Sequence, residues 1–137
     1  MDDFRQIISL DQLTSDDTVA LARTAAEAIR GLNWTTNSNA GLDQPSVAYD
    51  VTAALSLAAS RLPQLLTQLT RYLDRALAAG QLGCDHGGDP ACSIHAAGIF
   101  LDDARASAAA LATDLNEAQQ QLSTVNGNPA TVPQDQP

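Results

Sequence analysis

From Val51 onward the apolar positions recur at alternating gaps of four and three: Val51, Leu55, Ala58, Leu62, Leu65, Leu69, Tyr72, Ala76. A second run follows the same rule: Ile94, Ala97, Leu101, Ala104, Ala108, Leu111, Leu115, Ala118, Leu122. A spacing that averages 3.5 residues places each set on one face of an α-helix and suits a coiled-coil seam. Two such runs joined by a short polar stretch predict a long antiparallel helical hairpin, with helices near 46–79 and 90–124. Pro45 suits the first position of the earlier helix, and Asp89–Pro90 reads as a cap and first position for the later one. Pro63 falls in the middle of the first run. It removes one backbone hydrogen bond, but the heptad keeps its phase across it, which predicts one kinked helix ending near Gly80. With the runs as the buried seam, Leu62→Asp or Leu111→Asp is expected to unfold the protein.

The N-terminal third is patterned differently. Ala22, Ala25, Ile29 and Leu32 share one helical face. Ser15 is a candidate cap, and Asp16 and Asp17 follow it where the helix dipole favours acids. A helix over about 15–32 is expected, ended by Gly31 and Asn33. Before it, Phe4, Ile7, Ile8, Leu10 and Leu13 read as a short helix or an ordered arm. Residues 33–45 read as a polar loop, with Trp34 as a lid over the end of the bundle. The expected fold is all-α: the hairpin with an additional N-terminal helix, a three- to four-helix bundle. The domain is expected to span 1–125, with a disordered, Pro-rich tail at 126–137.

Composition supports the helical reading. Apolar residues make up 45 % of the 137 positions and aromatics 4 %, so the apolar set is mainly Ala and Leu, the strongest helix formers. The basic set is seven arginines without a lysine, against 16 acids, for a net charge of −9. That balance argues against nucleic acid or an anionic membrane as partner. Neither a signal-peptide pattern nor an apolar stretch long enough for a membrane span is present, so the expected location is the cytoplasm.

The stretch "YDVTAALSLAASRLPQLLTQLTRYL" at 49–73 and the later "GGDP" turn resemble a set of small all-helical proteins of actinobacteria, over about residues 45–120. The resemblance implies a helical fold and no activity, and its pattern does not include the Cys and His residues discussed next.

Both cysteines and both histidines fall in "GCDHGGDPACSIHAAG" at 83–98. Cys84, His86, Cys92 and His95 are candidate metal ligands, because Zn²⁺ takes four N or S donors and Cys92 and His95 share a helical face at i, i+3. The spacing lacks the long insert that usually separates ligand pairs. A Cys84–Cys92 disulfide and a plain hairpin turn, with Gly83, Gly87 and Gly88 supplying left-handed backbone, are the other readings. No cofactor is expected under the turn reading and zinc under the metal reading. The function expected is a non-enzymatic helical interaction or scaffold protein; the alternatives are a small metal-binding module at the hairpin tip and an acidic inhibitor protein. A homodimer or another protein is the expected partner. Leu66, Leu73 and Leu77 form a second apolar stripe beside the first, and they are the candidate interface residues.

Overall fold

The computed structural model of the chain describes residues 12–127. Among them there are three helices and no strand: α1 (Ser15–Thr36), α2 (Pro45–Ala78) and α3 (Ala91–Leu122). The arm expected at 1–13 lies, apart from its last two residues, outside the described residues, as does the tail beyond 127. No helix among the described residues is long and apolar enough to cross a membrane. The chain divides into two units, Met1–Asp43 and Gln44–Pro137, with α1 in the first and α2 and α3 in the second.

In the first unit the cap is Thr14, one residue before the expected Ser15. Its hydroxyl accepts from the Asp17 N–H at 3.3 Å, and the Asp17 carboxylate accepts from the Thr14 N–H at 3.0 Å. This reciprocal box satisfies two of the donors that a helix start leaves free. The helix does not stop at Gly31 but runs on to Thr36. A single interior glycine costs only about 1 kcal/mol, and the hydroxyls of Thr35 and Thr36 donate to the Leu32 carbonyl at 3.3 and 2.7 Å. Trp34 therefore sits on the last turn of α1 rather than in a loop, with 82 % of its surface exposed. After α1 the chain turns on Ser38, whose carbonyl accepts from Gly41 and Leu42 at 3.2 Å. A Cβ at Gly41 would lie 2.1 Å from the Thr35 carbonyl oxygen, so only glycine fits there.

In the second unit α2 and α3 pack together. α2 starts with Pro45 at its first position, as expected, and passes Pro63 without interruption. It ends in a Schellman motif: Gly80 has φ +70°, its N–H reaches the Leu77 carbonyl at 3.1 Å, and the Gln81 N–H reaches that of Ala76 at 3.0 Å. α3 begins one residue after the expected start. Pro90 stands at the cap position rather than at the expected first helical position, and no side chain caps the helix there; the Asp89 carboxylate accepts from the Ala91 N–H at 3.0 Å in the turn just ahead of it.

The pairing register differs from the expectation. The side chains of α2 that face α3 include Ser56, Ala59, Pro63, Leu66, Thr70, Leu73 and Leu77, which are buried or half-buried. These again alternate by three and four, but from residue 56 on each stands one position after the run read from the sequence. Leu62, Leu65, Leu69 and Tyr72 are exposed, whereas Ala76, from the expected run, is buried. On α3 the ladder Ile94, Leu101, Ala108, Leu115, Leu122 faces inward as expected. Its partner ladder is Gly98, Arg105, Ala112, Gln119, one residue after Ala97, Ala104, Leu111, Ala118.

The physical reason is size. The seam mixes small residues with half-buried Leu66, Leu73, Leu77, Leu101 and Leu115, and the only buried side chains among the described residues are Ala59 (3 % exposed), Ala76 and Ala108 (6 %). Small residues let the two backbones approach closely enough for the Ser56 hydroxyl to donate to the Ala112 carbonyl on the other helix at 3.4 Å. One turn from the end of the pair, the Gln119 amide donates to the Tyr49 hydroxyl at 3.2 Å. Two helices by themselves cannot enclose a leucine fully, so the leucines of the pair are half-buried or exposed.

Candidate functional site

With the seam positions of both helices called a and d, the remaining positions fall on two broad sides. Neighbouring pairs along the seam run in opposite chain directions: Tyr49 with Gln119, Ser56 with Ala112, Leu66 and Thr70 beside Leu101 and Arg105, Asp74 beside Ile94. In that arrangement the g positions of one helix flank the g positions of the other, and the e positions flank the e positions.

The g and c positions of α2 are Val51, Leu55, Ala58, Leu62, Leu65, Leu69, Tyr72 and Ala76. This is the same run the sequence singled out, and it contains no charged residue. Those of α3 are Ser93, Ala97, Phe100, Ala104, Ser107, Leu111, Asp114, Ala118 and Gln121, with Asp114 as the one charge. Leu62, Leu65, Leu69 and Leu111 are exposed, Tyr72 is 58 % exposed and Phe100 72 %. One side of the α2–α3 pair is therefore a continuous apolar surface.

The e and b positions make a different surface. α2 supplies Asp50, Ser60, Gln64, Thr67, Arg71 and Asp74, and α3 supplies His95, Asp102, Thr113, Asn116 and Gln120. Leu57 and Ile99 are its exposed apolar members. Shallow grooves follow the seam on this side, one lined by Ser56, Ser60, Thr113, Asn116 and Gln119, another by Thr70, Asp74, His95, Gly98, Asp102 and Asp103. Arg105 pairs with Asp102 at 2.9 Å within α3.

The residues singled out in the sequence are placed as follows. Leu66, Leu73 and Leu77 occupy d and a positions and are half-buried on the side of α2 that meets α3. The stripe expected to face outward is thus the one the helix pair itself uses; of the stripe expected inside, Ala76 is buried and Val51 and Leu55 half-buried, while Ala58, Leu62, Leu65, Leu69 and Tyr72 are exposed. Cys84 is half-buried in the loop between the helices, where its carbonyl accepts from the Gly87 N–H at 3.1 Å and Gly87 has φ +75°. His86, Cys92 and His95 are exposed, and both cysteines are free thiols. Among the described residues no three or more His, Cys, Asp or Glu side chains converge on a point where they could hold a metal ion. The apolar side was visible in the sequence as its most regular stripe; only its direction was missed.

Compared with protein-family models, with curated proteins and with solved structures, the chain matches none of them.

Proposed function

We propose that this chain is a non-enzymatic helical interaction protein: an antiparallel hairpin of α2 and α3 that docks against another protein surface through its apolar side. The observation that carries the reading is the contiguous exposure of Leu62, Leu65, Leu69, Tyr72, Phe100 and Leu111 on one side of one unit. Single exposed leucines are ordinary, but a contiguous apolar surface rimmed by polar residues marks an interaction site. Tyr72 and Phe100 bring the aromatic character that interface centres favour. Of the acids on α2 and α3 only Asp114 stands on this side, so a partner meets it with little charge to desolvate.

The test is a tagged chain expressed in its own host and isolated gently, beside a Leu65→Glu, Leu69→Glu variant and an Arg71→Glu control on the other side. The expected result is a defined complex of fixed stoichiometry for the wild type and the control, released in the double variant. A wild-type chain that elutes as a solitary species, in the extract and after purification, overturns the proposal.

A further inference from the structure

We infer that the occupant of the apolar side is a second copy of this chain, the two hairpins closing face to face into a four-helix core. This rests on the reading of that side as a docking surface and names its partner. Three observations carry it.

The first is area. From Val51 to Tyr72 the surface is about 30 Å long at ~1.5 Å per residue, and two helices spaced ~9 Å apart make it about 20 Å wide. The resulting footprint of about 600 Å² per copy matches the lower end of what a stable protein–protein interface removes from each partner.

The second is the division of side-chain size between the two helices. The α2 half carries bulk: Leu55, Leu62, Leu65, Leu69 and Tyr72. The α3 half is mostly small: Ala97, Ala104, Ser107 and Ala118, broken by Phe100 and Leu111. A two-fold axis parallel to the helices lays the α2 of one copy over the α3 of the other, and by symmetry does so twice. Large residues then meet small ones in both halves, which is how interdigitating core layers are filled. The g and c positions lie about 100° around each helix from the a and d seam. That is the angle at which a helix in a four-helix bundle meets its second neighbour.

The third is charge. Two copies that each carry −9 repel unless they approach through a surface free of acids. On α2 this side carries no charged residue type from Val51 to Tyr72, and on α3 it holds a single acid, Asp114.

The experiment is sedimentation equilibrium or light scattering of the full chain between about 1 and 100 μM, a range that brackets ordinary dimer affinities. The expected wild-type mass is twice 14.3 kDa. Leu65→Glu is expected to weaken association by about a hundredfold, the scale of losing a central anchor, with helical circular dichroism retained; Arg71→Glu stays dimeric. Orientation is read by oxidising a mixture of two single-cysteine chains, Leu62→Cys and Ser107→Cys, each with Cys84→Ser and Cys92→Ser. The mixture cross-links and Leu62→Cys alone does not.

A wild-type mass of one copy that does not change with concentration overturns the inference. If Leu65→Glu then lowers the melting temperature of that single chain, the side is covered from within the chain and the docking proposal falls with it. If the melting temperature is unchanged, the second copy alone is excluded and the surface is open to a different protein. A dimer that survives Leu65→Glu places the interface elsewhere and also overturns the inference.

Discussion

The two broad sides of the α2–α3 pair flank the same seam, yet they are built from opposite materials. One presents Leu62, Leu65, Leu69, Tyr72, Phe100 and Leu111 to solvent; the other presents Ser60, Thr67, Arg71, Asp74, His95, Asp102 and Asn116. If the leucines existed to hold the two helices together, both margins of the seam would carry them equally. The seam instead closes on Ala59, Ala76 and Ala108, with Ser56 bonded across to the Ala112 backbone. The other side exposes only Leu57 and Ile99 as large apolar residues; the excess of apolar bulk on one side is therefore surplus to the pairing of α2 with α3, and that asymmetry is the basis of the functional reading.

The comparison breaks most severely at the seam itself. Ala59→Glu or Ala108→Glu is expected to destroy the α2–α3 pair, because each position is almost fully buried and has room for a methyl group only. A carboxylate there loses its hydration without a partner and forces the helices apart, at a cost of several kcal/mol, comparable to the whole stability of a small unit. Circular dichroism and thermal melting read the result. A variant that keeps a cooperative wild-type transition shows that the small residues are not the seam.

The next effect separates the two sides. Leu69→Glu on the apolar side is expected to abolish association while leaving the helical signal within a few per cent of wild type. The corresponding Leu62→Asp and Leu111→Asp changes, which the sequence pattern alone marked as unfolding, are expected to do the same, since all three side chains are exposed in the single chain. The mass in solution and the helical signal must part company in these variants. Joint loss of both returns the leucines to an internal core.

The helical class, the positions of α2 and α3 and Pro45 at the helix start were legible in the sequence, each through a local rule with a stereochemical cause. The register was not. Two stripes of the same 3.5-residue period run along α2, one residue apart, and periodicity cannot say which of them meets α3. Reading the more hydrophobic stripe as the inner one is sound where a core is enclosed on all sides. It fails for this pair, in which Ser56, Ala59, Thr70 and Ala112 stand between the helices together with half-buried Leu66, Leu73 and Leu77, while Leu62, Leu65, Leu69 and Tyr72 are left outside. The expected interface residues Leu66, Leu73 and Leu77 were read as facing outward, whereas they are half-buried on the side of α2 that meets α3. At Cys84, His86, Cys92 and His95 residue type suggested a ligand set, but spacing along the chain does not fix which side chains converge, and the described positions leave three of the four exposed.

Ser56→Ala has a smaller expected effect and sharpens the account of the seam. It removes the one hydroxyl that donates to the opposite backbone, at the long distance of 3.4 Å, and substitutes a residue the seam already tolerates. The loss is expected at about 0.5–1 kcal/mol, the net worth of an ordinary hydrogen bond, seen as a melting temperature lower by a few degrees and an unchanged mass. A rise in melting temperature would show that close packing, not the hydrogen bond, holds the helices at that point.

The smallest effect belongs to the polar side. Asp102→Ala removes the partner of Arg105, whose contact at 2.9 Å is the closest ion pair among the described residues. Proximity alone makes it look important. The two side chains are nevertheless 43 % and 68 % exposed and sit at i, i+3 on the same helix, so water screens the pair and its attraction acts within α3 rather than between α3 and α2. Exposed pairs of this kind contribute about 0.3–0.5 kcal/mol. Alanine, a better helix former than aspartate, returns a similar amount. The expected change in melting temperature is therefore close to zero, and the oligomeric mass is unchanged. Set beside Leu69→Glu, on the opposite side of the same seam, it isolates what the apolar surface contributes. A destabilisation above about 1 kcal/mol, beyond what an exposed substitution away from any special feature produces, would mean that the polar side is covered as well, and the contrast between the sides would lose its force.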